Sequence, residues 1–412
     1  MQTPLIYQPL LRNLEKMQDN DTGYIKKELP AKIGTVGLVL FVAGVLLGIV
    51  GFITEPERAA FSYLPAYMFL VSIAIGSLFL IAIEYLAGAD WSVPFRRIPE
   101  FLSGLLPLLF ILVIPLLFHM NDLFTWMHRE VVSNDTILQG KASYLNPAFF
   151  IIRVFVILLI WSAFYIKFIS NSRKQDSTGD QSLTKNSIFF SGIFMPVFAI
   201  TITLTAVDWL MSIEPRWYST IFGVYFFSGA VWGSLAAVTY IAIKLKENGY
   251  LHPKITTDHY YSLGTLLFAF TVFWSYIAFS QYMLIWYADL PEETFWFLQR
   301  WSGGWLVLSV TVIVTHFIVP FAALLSFPSK TNPSRLKFIA VWILIAHYID
   351  LYWLIMPGFF VGGKVYTFSW LDIVFPLGAL GLVIIVFNRG VKMHNLIPVR
   401  DPKLEKGLNF RL

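Results

Sequence analysis

The sequence predicts an all-α, polytopic integral membrane helix bundle of about ten transmembrane helices with both termini cytoplasmic. Composition is the first reason: 57% of the residues are apolar and 13% charged, with a mean hydropathy of +0.66, against roughly 25% charged residues in soluble domains. The second is that the apolar residues form unbroken runs near the ~20 residues that span a hydrocarbon core, not the short alternating segments of a barrel. The third is the uneven division of Lys and Arg between alternate loops.

Taken in order, residues 1–32 are polar and of mixed charge, include Arg12, Lys16, Lys26, Lys27 and Lys32, and lack a signal-peptide pattern. They read as a cytoplasmic amino-terminal segment. Apolar runs then occupy 33–53, 62–86, 101–118 and 148–169. A loop rich in Ser, Asn, Lys and Asp at 171–186 separates them from runs at 188–211 and 220–243. Four more follow at 262–286, 301–327, 336–356 and 368–387. An even count returns the chain to its starting side, so 33–387 is one transmembrane domain and 388–412 a cytoplasmic tail. The loop at 119–147 is the longest on the other side, and no separate soluble domain is expected.

Cytoplasmic loops retain Lys and Arg. One side collects the amino-terminal basic residues, Arg96, Arg97, Arg173, Lys174, Lys185, Lys244, Lys246, Lys254, Lys330, Arg335, Lys337 and the basic carboxy-terminal tail. The other side holds Arg58, Arg129, Lys141, Arg216, Arg300 and Lys364 among a larger number of acids. The first side is therefore expected to be cytoplasmic.

The chain has no cysteine. Disulfides, thiolate catalysis, Cys-ligated clusters and covalently attached c-type haem are excluded, so this chain is expected to carry no redox cofactor of its own.

Ionisable groups inside a bilayer are costly and usually have a partner or a task. In the ninth run His347 and Asp350 stand three residues apart on one helical face, about 4.5 Å apart along the axis. His316, in the eighth run, lies at a depth similar to His347. Asp372 and Asp208 fall near the outer ends of the tenth and fifth runs, Arg153 in the outer third of the fourth, and Gln281 in the same layer. Glu84 lies near the inner end of the second run, next to Asp90. Three readings stay open for this set. Arg153 pairs with an outer carboxylate, Glu84 snorkels, and the histidines bond to backbone or Tyr hydroxyls. Alternatively Glu84, His316, His347, Asp350, Asp208 and Asp372 form a proton relay across the membrane. In the third, His316 and His347 ligate a b-type haem.

The densest polar motif is the run Asp208-Trp209-Leu210-Met211-Ser212-Ile213-Glu214-Pro215-Arg216-Trp217-Tyr218-Ser219-Thr220 between the fifth and sixth runs. As local structure it reads as an interfacial aromatic belt with Pro215 breaking the chain into a tight turn. With the ten-helix layout and basic amino terminus, this motif resembles the ActF subunits of bacterial alternative complex III, a quinol:electron-acceptor oxidoreductase. Those subunits are similar to the NrfD-like membrane subunits of polysulfide reductases.

The resemblance spans essentially the whole chain and implies a multi-pass protein of the bacterial inner membrane. It implies partners: an NrfD-like sister subunit, an iron–sulfur protein and c-type cytochromes, which hold the haem c and iron–sulfur clusters. This chain would contribute assembly, contact with quinone or lipid, and proton movement. Trp209, Glu214, Arg216, Trp217 and Tyr218 would form an interface motif, Arg153 a structural ion pair, and the relay residues the proton path. Nucleic acid is not an expected partner. The rival reading is a secondary transporter with a midplane site on broken helices, against which the runs read as mostly intact helices, the prolines of the second, third, fifth, eighth and tenth suggesting kinks only.

Overall fold

A computed structural model describes residues 28–360 and 367–412. Most of the amino-terminal segment and Lys364 lie outside the described residues. Among these residues there is no strand, and ten spans are long and apolar enough to cross a membrane. They are α1 (Ala31–Thr54), α2 (Pro56–Ala87), α3 (Val93–Phe118), α4 (Pro147–Thr178), α5 (Ser182–Ile213), α6 (Phe222–Glu247), α7 (Thr257–Ala288), α8 (Trp305–Leu324), α9 (Pro333–Gly358) and α10 (Leu371–Met393). The protein is a multi-pass membrane protein.

Local chemistry sets the helix ends. Asn146 accepts a hydrogen bond from the Phe149 N–H ahead of Pro147, and Asn332 does the same for Arg335 ahead of Pro333. Both satisfy an orphan amide while proline occupies the position where no N–H is needed. Gly88 and Gly179 close α2 and α4 at φ of 67° and 71°, a left-handed conformation suited to glycine.

Alternate loops gather at two ends of the bundle. At the tail end, Arg96 pairs with Asp401, Lys403 reaches the Gly88 carbonyl, and His259 Nε2 bonds the Gly407 carbonyl at 2.8 Å. The carboxy-terminal segment is packed there, with Leu396, Ile397, Leu404 and Leu408 buried. At the far end, Arg216 pairs with Asp135, Lys141 donates to the Pro215 carbonyl, and the Trp217 indole donates to the Glu293 carbonyl.

Because lipid is as apolar as a leucine side chain, membrane helices associate through close packing and interhelical polar contacts. α1 and α10 meet glycine on glycine: a Cβ at Gly44 would lie 2.5 Å from Gly378 Cα, and one at Gly381 would lie 2.5 Å from the Phe41 nitrogen. α2 and α6, the most enclosed helices, meet where a Cβ at Gly76 would lie 2.5 Å from the Ala230 carbonyl oxygen. Beside it Ser234 Oγ donates toward the Ser72 and Ile73 carbonyls at 3.2 and 3.1 Å.

Four expectations need correction. The hydrophilic stretch at 171–186 is helical except for a turn: α4 runs on to Thr178 and α5 starts at Ser182. Asn171 bonds Asn186 and Ser187, and Gln175 bonds Thr184, so polar residues here join two helices rather than marking a loop. Arg58, Arg96 and Arg97 are buried within spans, not displayed in loops. The 301–327 run is shorter as a span, Trp305–Leu324, because residues 301–304 form a turn after a separate helix Pro291–Arg300 and the chain bends again at 325–326.

The expectation of intact helices fails at α3 and α8. α3 starts at Val93 and is broken into α and 3-10 pieces, including Ser103–Leu108. Pro99, Pro107 and Pro115 lie beyond the first turn of the span and each remove an amide donor, which frees carbonyls that need other partners. The Tyr63 hydroxyl takes the Leu112 carbonyl at 2.7 Å. In α8 the segment Val314–Ile318 is a π turn just before Pro320. There the Thr315 carbonyl accepts from the Trp342 indole at 2.9 Å.

Candidate functional site

The π turn of α8 carries His316 into the bundle, and α9 brings His347 and Asp350 beside it. All three are buried, and one ligating atom from each lies within 4.8 Å of the others. The imidazoles are nearly parallel, at 13° with centroids 6.5 Å apart. His316 is packed edge to face between Trp274 at 4.0 Å and Trp232 at 4.6 Å. His347 rests on α6 where two glycines make room: a Cβ at Gly229 or at Gly233 would stand 3.0 Å from its ring. The Tyr225 hydroxyl, also from α6, donates to Asp350.

None of the four imidazole nitrogens has a hydrogen-bond partner among the described residues. A neutral imidazole has one donor and one acceptor, and each buried polar group left unpaired costs about 1–3 kcal/mol. The expectation that the histidines bond backbone or Tyr hydroxyls is therefore not met. A porphyrin between them would have to displace the Trp232 and Trp274 rings. The polar centre is instead a compact His-His-Asp cluster with one tyrosine.

The other ionisable residues singled out in the sequence, Glu84, Arg153, Asp208 and Asp372, sit in ion pairs at the two ends. At the tail end Glu84 does not snorkel but accepts from Arg96 at 3.0 Å. Arg96 also pairs with Asp401 and lies 3.5 Å from Glu100, while Arg97 holds Glu100 at 2.5 Å and pairs with Asp176. At the far end Asp208 receives two bonds from Arg153, each 2.9 Å, and one from the Tyr144 hydroxyl at 3.0 Å. Asp372 receives Arg58 at 2.5 Å, Ser62 at 2.8 Å, the Tyr352 hydroxyl at 3.1 Å and the Ser369 amide at 3.0 Å. Gln281 bonds Ser219 near the same end.

The Asp208–Thr220 motif forms the end of α5 and the turn into α6. Its tryptophans pack inside the bundle. Trp209 is buried against Phe150 and Tyr67, and Trp217 stacks on Trp296 at 4.4 Å and 13°. Tyr218 and Arg216 are exposed, and Arg216 reaches Asp135 at 2.7 Å. Burial raises the Glu214 carboxyl above its ordinary value, against the opposing pull of Arg216 and Arg300.

The sequence reading did not single out several residues of these sites. Tyr225 carries no signal in a run rich in aromatics. Glu100 and Asp176 could have been sought as partners for the Arg96-Arg97 pair, since Glu100 follows at helical spacing. Asp401 and Arg58 are distant in sequence from the groups they meet. Buried Arg300 donates to the Trp296 and Leu354 carbonyls, and its guanidinium lies 3.4 Å from the Trp296 ring centroid.

Comparison of the chain with models of known families and with curated proteins finds no match.

Proposed function

We propose that the chain is a membrane subunit of a bacterial quinol-oxidising electron-transfer complex of the alternative complex III type, and that it contributes assembly and proton movement. The Asp208–Thr220 motif and its resemblance to ActF support the first part. One observation carries the second: buried ionisable groups occupy three layers of one bundle. Glu84, Arg96 and Asp401 lie at the tail end, His316, His347 and Asp350 midway, and Asp208 and Asp372 with their arginines at the far end.

In this reading the tail end faces the cytoplasm, because it gathers the basic loops, and the membrane is the bacterial inner membrane. Redox cofactors reside in partners: an iron–sulfur protein, c-type cytochromes and an NrfD-like sister subunit that takes electrons from quinol. Electron transfer there alters the field or packing around the polar layers of this chain, and protons move in response. The central cluster, whose imidazoles have no hydrogen-bond partner among the described residues, is the gap that protons must cross between the two ion-paired ends, with Tyr225 bonded to Asp350 as a neighbouring hydroxyl. Quinone or lipid contacts the outer surface of the bundle.

A second reading, a secondary transporter of a small solute or ion, draws on the broken backbone of α3 and the π turn of α8 next to buried polar groups. Gentle detergent purification through this chain, with mass spectrometry and a visible spectrum, separates the two. Co-purifying c-type haem and iron–sulfur subunits support the redox complex; a lone, colourless chain sinks it in favour of transport. Within an assembled complex, Asp350→Asn is expected to abolish proton movement while partners still co-purify. Loss of the whole complex would instead assign Asp350 a structural role.

A further inference from the structure

We propose that His316, His347 and Asp350 form a binding site for a divalent first-row transition-metal ion, with Zn2+ as the reference occupant. The inference names a ligand for the central cluster and rests on the proton reading only for what an occupant would do to proton movement.

Donor chemistry comes first. Two imidazole nitrogens and one carboxylate suit zinc and its first-row neighbours, whereas magnesium and calcium take oxygen donors. Three protein ligands leave a fourth tetrahedral position open for water. The ligating atoms already lie within 4.8 Å of one another. An ion holding donors at ~2 Å sets them about 3.3 Å apart, so the cluster has to close by only about 1.5 Å.

A second, independent observation points to a ligand. All four imidazole nitrogens are buried and unpartnered among the described residues. Two histidines that served only to pack would be expected to bond a nearby carbonyl or hydroxyl, as His259 does with the Gly407 carbonyl. Here the shell is built for position rather than for pairing. The π turn of α8 sets His316, Gly229 and Gly233 seat the His347 ring, and the Tyr225 hydroxyl donates to the Asp350 carboxylate. A hydroxyl that orients a ligating carboxylate is the outer shell a metal site requires. π turns also concentrate at functional sites.

The test uses the full chain in detergent, or the complex it purifies with, carrying a tag without histidine. Protein stripped with a chelator is titrated with Co2+, whose visible ligand-field bands report a nitrogen-ligated site, and Zn2+ is then added. The expected result is one ion per chain with those bands, displaced by Zn2+. His316→Gln and His347→Gln should each weaken binding by at least about 100-fold, and Tyr225→Phe by about 10–100-fold. Gel filtration and far-UV circular dichroism check that each variant is folded. X-ray absorption at the zinc edge of the unaltered protein needs no variant and should show two imidazoles. An absence of saturable binding, an edge spectrum without imidazole, or full binding in the His316→Gln/His347→Gln double variant would each overturn the proposal. Proton movement, measured separately in metal-free proteoliposomes, distinguishes failure of this site from failure of the proton reading. If transport is lost in Asp350→Asn while the unaltered protein binds no metal, only the metal inference falls.

Discussion

Arg153 of α4 and Asp208 of α5 meet as a two-pronged pair, Nε to Oδ2 and Nη2 to Oδ1, each at 2.9 Å. The Tyr144 carbonyl accepts from Nη1 at 3.0 Å, and the Tyr144 hydroxyl donates to Asp208. The charges are thus mutually satisfied, and the carboxylate is locked on three sides.

Removing one partner leaves a buried charge, whereas removing both leaves only volume to refill. Arg153→Met or Asp208→Asn is expected to destabilise the protein by about 3–5 kcal/mol, and Arg153→Met with Asp208→Leu by much less. Thermal unfolding in detergent measures this. The double variant should nonetheless lose proton movement, because it removes one of the buried carboxylates of the far layer on which the proton reading rests. If the double variant is stable and proton movement is retained, Asp208 is a structural staple and lies off the proton path.

Close glycine contact holds α1 to α10. Gly381→Leu places a side chain against the Phe41 backbone and should cost about 1–3 kcal/mol or detach α1. Gly140→Leu serves as the control, since no atom of the described residues lies within 4 Å of a Cβ there. Equal melting temperatures for the two variants would mean that α1 is held mainly by lipid.

Glu214 sets a pH dependence at the far end. Its carboxyl is raised by burial above the ordinary value of 4.5, so the folded state binds the proton more tightly than the unfolded chain. Its stabilising contribution is complete below 4.5 and is lost as pH rises through the higher folded value. Melting curves from acid to neutral pH should therefore show a loss of stability with rising pH that Glu214→Gln removes. Parallel profiles for the two proteins would mean that Glu214 has little influence.

Sidedness is tested by reporter fusions. A fluorescent protein joined after Leu412 should fluoresce, and alkaline phosphatase inserted at Asn134 should be active. The reverse pattern would invert the bundle and put Glu84 at the outer end.

The number and rough position of the spans were legible in the sequence, because a bilayer demands long apolar segments with internally bonded backbone. Breaks were less legible. The prolines of α3 were visible, but whether a proline kinks a helix or splits it depends on who takes the freed carbonyls, and Tyr63 is far away in the chain. Residues 171–186 were misread for a related reason: polar side chains that bond one another across two helices look the same in sequence as polar side chains in water.

Of the central cluster, the spacing of His347 and Asp350 on one helical face and the similar depth of His316 could be read from sequence. Arg153 was read as half of an ion pair without its partner being known. The chain's composition and periodicity determined that it is a membrane helix bundle and which ionisable groups it places within the spans. Only the tertiary structure decided that Asp208 and Asp372 are held by Arg153 and Arg58, that Glu84 is held by Arg96, and that His316 and His347 stand beside Asp350 without a hydrogen-bond partner among the described residues. Depth along a helix follows from residue number, but the partner a buried charge meets is set by how helices rotate and pack against one another, and that is fixed by contacts among residues far apart in the chain.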